Sequence, residues 1–162
     1  MKPWHERPIE IRNLFNPAFC GVILTRAIKA FEQEDGAGMP FSLSLLVLPL
    51  CLHRRTRETV RASNRAHFLK VVGTSPEMLV GFPERARSLL PYAMEALGLL
   101  MHLGCIEVTG DGRIKLVAKK VKAKELSTLE CQECEQAARL VGREFGRLRD
   151  RVTIYTTLGV KP

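Results

Sequence analysis

The 162-residue sequence lacks most of the marks by which a small enzyme is recognised. There is no GxxxxGK(S/T) phosphate loop. His5, His53, His67 and His102 are scattered and belong to no nucleophile or metal motif. Glu84, Glu95 and Glu107 show no paired-carboxylate spacing. A single CxxC occurs, Cys131-Gln132-Glu133-Cys134, with no second CxxC and no HxxxH pair, so the four ligands of a structural zinc site are not supplied. The cysteines, Cys20, Cys51, Cys105, Cys131 and Cys134, are odd in number, mostly set among apolar neighbours, and preceded by no signal-peptide pattern. That predicts free thiols in a reducing cytoplasm. The most hydrophobic run, Met39 to Leu52, is interrupted by Pro49 and falls short of the roughly twenty residues of a membrane span. Together these absences predict a non-catalytic chain with no cofactor, no metal and no membrane contact.

What is present reads as mainly α-helical with one small β-hairpin. Leu90 to Val117 carries the most information. Pro91 suits a first helical turn, Leu97, Leu100, Met101 and Leu103 have helical spacing, and Gly104 stops the helix. Ile106, Val108, Ile114 and Leu116 then alternate with polar residues around Gly110-Asp111-Gly112, a hairpin turn. A helix running into a hairpin is the closing half of a winged helix. Winged helices bind nucleic acid or other subunits, and this helix argues against base reading. From Pro91 to Gly104 there is no Lys or Arg and one acid, Glu95, leaving only Tyr92 and His102 as candidates to reach base edges.

The predicted organisation is an N-terminal arm (1–16), a helical core with a winged-helix-like end (17–118, wing 105–117), a basic linker (119–126), and a C-terminal helix with a docked tail (127–162). Within the core, Asn16-Pro17 caps a helix whose stripe runs Phe19, Val22, Ile23, Ala27, Ala30, Phe31, with Arg26, Lys29 and Gln33 facing solvent and a stop near Gly36. Met39 to Leu52 reads as one helix apolar on all sides, too apolar for so small a chain to cover alone. Pro83 opens a further helix with Glu84 in its first turn, and Pro91 divides it from the helix before the wing. Ser127-x-x-Glu130 is a capping box, and the helix behind it carries a seam of Cys131, Cys134, Ala138, Val141, Phe145 and Leu148. The seam accounts for both CxxC cysteines without a metal. It is too short for an independent coiled coil.

Charge is the remaining signal. The net charge is +8 and the pI near 9.6, a footprint suited to DNA or to an acidic partner. Two basic stretches carry it. One contains Arg54, Arg55, Arg57, Arg61, Arg65 and Lys70 against Glu58 alone; the other contains Arg113, Lys115, Lys119, Lys120, Lys122 and Lys124. These are candidates for DNA-backbone or acidic-surface contact, with a solvated face as the alternative. Phe41, Leu45, Leu48, Val141, Phe145 and Leu148 are candidates for a partner interface.

Four segments, RPIEIRNLFNPAFCGVILTRAI, MPFSLSLLVLPLCLHRRTRE, VGFPERARSLLPYAMEALGLL and TIYTTLGVKP, resemble in order the middle component of bacterial three-component ABC systems of the Lamassu type, which act against phage and plasmids. The resemblance implies a small non-catalytic subunit beside an SMC/Rad50-like ABC ATPase and an effector, often a nuclease. It transfers no catalytic residues. The function expected is therefore an accessory subunit that links ATPase to effector and contacts the double-stranded DNA backbone. The alternative is a free-standing winged-helix transcriptional regulator, against which the absence of Lys and Arg from the Pro91–Leu103 segment speaks. A small zinc or redox enzyme is the weakest reading, resting on one CxxC.

Overall fold

The computed structural model describes residues 3–63, 67–121 and 128–161. The N-terminal stretch is not an extended arm. A 3-10 turn at Trp4–Glu6 leads into α1 (Ile9–Leu14). Arg7 anchors it, donating two hydrogen bonds of 2.7 and 2.8 Å to the Glu95 carboxylate. That pairing holds Glu95 below the usual carboxylate range. Next, α2 (Pro17–Asp35) begins where the Asn16 side chain accepts the N–H groups of Ala18 and Phe19, and ends at Gly36 in the left-handed conformation.

The Met39–Leu52 run is not one helix. It divides into β1 (Met39–Pro40), α3 (Phe41–Ser44) and α4 (Val47–Cys51). Pro49 explains the break: a continuous helix would need its missing N–H to satisfy the Leu45 carbonyl. The chain instead tightens at Leu45 and Leu46, whose N–H groups bond to Ser42 and Leu43. Nor does the run need a partner to cover it. Leu43, Leu46, Val47, Leu48, Leu50 and Cys51 are all buried by the rest of the chain.

Beyond it come α5 (Arg54–Ala62), α6 (Phe68–Thr74), a 3-10 turn at Pro76–Leu79, and α7 (Phe82–His102). Pro91 does not divide α7, which runs through it as a single helix. The proline lies on the exposed side, where the Arg87 carbonyl it leaves unpaired can turn to water. The hairpin forms as expected from β2 (Ile106–Val108) and β3 (Arg113–Leu116), with Val108 opposite Ile114. On its other edge β3 pairs antiparallel with β1, Met39 opposite Ile114, giving a sheet in the order β1-β3-β2. The third strand had no signal of its own, since two residues carry no alternation.

The chain closes with α8 (Leu129–Leu148) and α9 (Arg151–Thr157). Thr128 caps α8, accepting the Cys131 N–H, one residue later than the predicted cap at Ser127, which lies outside the described residues. The tail is docked: Ile154, Tyr155 and Leu158 are buried, and the Tyr155 hydroxyl donates to the Ser42 carbonyl at 2.7 Å.

The core is organised on α2 and α8. A Cβ at Gly142 would lie 2.0 Å from the Ala27 carbonyl oxygen, and one at Gly146 would lie 2.9 Å from that of Phe31. Only glycine permits backbones to meet this closely. Ala138, Val141 and Phe145 flank the contact and are buried. Arg26, expected to face solvent, is buried beside it and bonds the equally buried Glu135 at 2.6 Å. Such a pair contributes more to register than to stability.

Gly142→Ala is therefore expected to destabilise the fold by about 1–3 kcal/mol or more, because overpacking outweighs the roughly 1 kcal/mol that Ala gains in helix propensity. Gly98, within α7 with nothing inside 4 Å of a built Cβ, is the control. Gly98→Ala should raise stability by up to about 1 kcal/mol. Urea unfolding of the two variants measures both.

Candidate interaction surfaces

The first basic stretch is turned inward at Arg57 and Arg61, while Arg54, Arg55 and Lys70 stay exposed. Arg57 is only 2% exposed. It donates to the Cys51 and Leu52 carbonyls at the end of α4, to Glu130 at 2.9 Å, and faces Glu133 at 3.6 Å. Arg61 pairs with Glu133 at 2.6 Å. Both were candidate phosphate contacts, and in the fold both are consumed by α8. The reason is that α8 presents Glu130 and Glu133 to the α5 face on which Arg57 and Arg61 lie. Arg54 pairs along its own helix with Glu58 in an exposed ion pair. Arg55 remains exposed, and Arg65 lies outside the described residues. Burial, with Arg85, Arg55 and Arg57 nearby, lowers the His53 imidazole below its ordinary value, so this corner stays positive without help from histidine.

The second stretch is partly committed as well. Arg113 pairs with Asp111 at 3.1 Å and Asp35 at 3.2 Å and donates to the Gly38 carbonyl. That locks the hairpin to the end of α2. Lys115 is half-buried on β3, while Lys119 and Lys120 are exposed. Lys122 and Lys124 lie outside the described residues.

The six apolar partner candidates fare differently. Leu48, Val141 and Phe145 are fully buried in the chain's own core and cannot meet a partner. Phe41, Leu45 and Leu148 are partly buried against that core. Apolar packing and apolar docking look alike in a sequence, and here packing took the most hydrophobic positions.

Cys20, Cys51 and Cys134 are packing groups, buried in the core. Burial pushes Cys134 up to about 11 and Cys20 up to about 12, and Cys51 also lies well above an ordinary thiol. Such groups hold little reactive thiolate at neutral pH. Among the described residues no group of three or more His, Cys, Asp or Glu side chains is placed to hold a metal ion.

The sequence reading missed the surface that does face outward. On α7, Leu90, Met94 and Met101 are 40–48% exposed. With Gly98 they follow i, i+4, i+8 and i+11, one continuous strip of the helix that borders the arc of its buried residues Leu89, Ala93, Ala96, Leu97 and Leu100. Leu103 and Val108, at the helix end and on β2, are exposed as well. Exposed apolar strips of this kind mark contact surfaces. A signal existed: an apolar arc wider than one core-facing stripe has more surface than a single partner covers, and the core covers only part of it.

Two grooves adjoin the helices. One, of about 600 Å³, lies between α1, α2 and the start of α8 and is lined by Leu14, Phe19, Val22, Cys131 and Cys134 with charges of both signs, Glu10, Glu130 and Arg57. The other, of about 540 Å³, lies between the α3–α4 turn, the first half of α7 and the chain end after α9.

Arg57→Met is expected to cost about 2 kcal/mol of stability, below the roughly 3–5 kcal/mol of a fully buried broken ion pair because Glu130 remains hydrated. Arg55→Ala should change stability by less than about 0.5 kcal/mol. Thermal unfolding of the two variants separates an internal brace from a surface cation.

Residues 4–162, nearly the whole chain, match the family model described as ABC-three component (ABC-3C) system Middle Component 3. No curated protein and no solved structure matches the chain.

Proposed function

The chain belongs to the Middle Component 3 family of ABC-three component systems, which makes it an accessory subunit of an ABC-ATPase-based system, and we propose that it is a non-catalytic connector joining the ATPase to an effector. The reading is of a cytoplasmic, Lamassu-type defence complex with an SMC/Rad50-like ATPase and a nuclease as effector. The observation that carries it is the exposed strip of Leu90, Met94 and Met101 on α7. A helix that has already buried one side in its own core, yet keeps an apolar and uncharged strip outside, is suited to protein contact. Within this reading α7 and the β2–β3 hairpin serve as the closing half of a winged helix, used for subunit binding. The stretch Ile9–Asp35 is long and apolar enough by length and composition to cross a membrane. Its main helix, α2, instead buries Ile23, Leu24, Ala27, Ile28 and Phe31 in the core, which supports a role in packing.

Co-expression with the ABC ATPase component should give a complex that survives size exclusion, and Met94→Asp/Met101→Asp should abolish it while leaving the far-UV circular dichroism unchanged. A stable monomer with no affinity for the ATPase would overturn the subunit reading.

Contact with DNA, where it occurs, falls to the exposed cations Arg55, Lys119 and Lys120, together with Lys122 and Lys124. Binding by the assembled complex should be independent of sequence and weaken steeply with salt, because each neutralised phosphate releases counterions. Replacing the four lysines by Gln should lower affinity uniformly and flatten the salt slope. Unchanged binding would leave the lysines without a role at DNA. Selection of one short sequence by the isolated protein, about a thousand-fold over random DNA, would favour the regulator alternative.

A further inference from the structure

The groove beside the first half of α7 has a chemistry of its own. Leu45, Leu46, Leu90 and Val160 give it an apolar floor, and the charged side chains lining it among the described residues are Arg87 and Lys161. Both are exposed. Neither has a described ion pair with an acid, although acids elsewhere in the chain are drawn into pairs with α5, α8 and the hairpin. Arg113, Arg57, Arg61 and Arg147 all have carboxylate partners; the two cations at this groove have none among the described residues. The volume, about 540 Å³, falls in the range of about 300–1,000 Å³ typical of formed clefts. Leu90 belongs both to this lining and to the exposed strip of α7, so groove and strip are one continuous surface. The tail that forms one wall is fixed in place, with Tyr155 bonded to the Ser42 carbonyl and Leu158 buried.

We propose that this groove receives a short segment of the ABC ATPase component that carries apolar side chains for the floor and at least one carboxylate for Arg87 and Lys161. Complementary charge at the edge of an apolar contact sets register and encounter rate, while the apolar anchors hold the complex. The other groove, between α1 and α8, is a poorer candidate, because its lining carries both signs and its arginine, Arg57, is already paired. A nucleic acid is disfavoured by the leucine floor. This inference rests on the subunit reading for the identity of the partner, while the preference for an acidic segment comes from the groove alone.

The test is carbodiimide cross-linking of the intact co-purified complex, which joins a lysine amine directly to a carboxylate in contact with it, followed by peptide mass spectrometry. The expected product links Lys161 to an Asp or Glu of the ATPase component. In parallel, Arg87→Glu/Lys161→Glu should weaken association at least about ten-fold and Arg87→Lys should leave it near wild type, since reversed charge repels and conserved charge does not. Circular dichroism checks that these surface variants remain folded. A complex that forms with no Lys161 cross-link and unchanged affinity in the double variant overturns the groove assignment and leaves the subunit reading intact. A cross-link from Lys161 to a second copy of this chain overturns it in favour of self-association. Failure of the wild-type chain to form a complex removes the subunit reading, and the proposed partner with it.

Discussion

The close approach of α2 and α8 at Gly142 and Gly146 sets the geometry on which the remaining elements depend. At Gly142 the two backbones meet so closely that a single methyl group would collide with the Ala27 carbonyl. This brings Arg26 within reach of Glu135 and places both out of water. It also turns the other acids of α8 toward the surrounding helices. Glu130 and Glu133 face α5 and bind Arg57 and Arg61. Glu144 accepts the Phe68 N–H at the start of α6 and pairs with Arg147. One helix contact therefore determines which side of each neighbour is buried.

The functional consequence concerns where charge and apolar surface are left. Several cations of the two basic stretches pair with the chain's own carboxylates, so those stretches offer DNA fewer free charges than their composition suggests, although the net charge of +8 is unchanged by such pairs. Conversely, much of the apolar surface that looked excessive is covered by the chain itself. Among the described residues, Arg55, Lys119 and Lys120 of those stretches stay exposed on the basic side, and the α7 strip with its adjoining groove is open on the apolar side. The proposed function gives a middle component's contact with other subunits to α7, whose outward side carries exposed Leu90, Met94 and Met101.

Local signals in the sequence were reliable where the physics was local. Asn16-Pro17 and Gly36 bound α2 as expected, the hairpin formed around Gly110–Gly112, and the α8 seam of Cys134, Ala138, Val141 and Phe145 is buried. Expectations failed where the deciding partner was distant. Arg57 is a surface cation by composition and a buried brace only because Glu130, 73 positions away, arrives beside it. Leu48 and Phe145 have the same apolar character whether they meet a partner or their own core. Pro91 looked like a boundary because a proline removes one hydrogen bond; its exposed side of α7 tolerates that loss. Gly142 and Gly146 carried no legible message, since glycine marks a turn as often as a contact, and only the facing helix tells which.

The central claim is that α7 meets another subunit through its outward side, and oxidative footprinting tests it most directly. Met94 and Met101 are about half exposed, whereas Met39 and Met78 are buried and serve as internal references. Brief hydroxyl-radical exposure of the free chain should oxidise the first pair and spare the second. In the complex with the ABC ATPase component, this account expects Met94 and Met101 to become protected while Met39 and Met78 stay unchanged. Equal oxidation of Met94 and Met101 in the free and assembled states would contradict it.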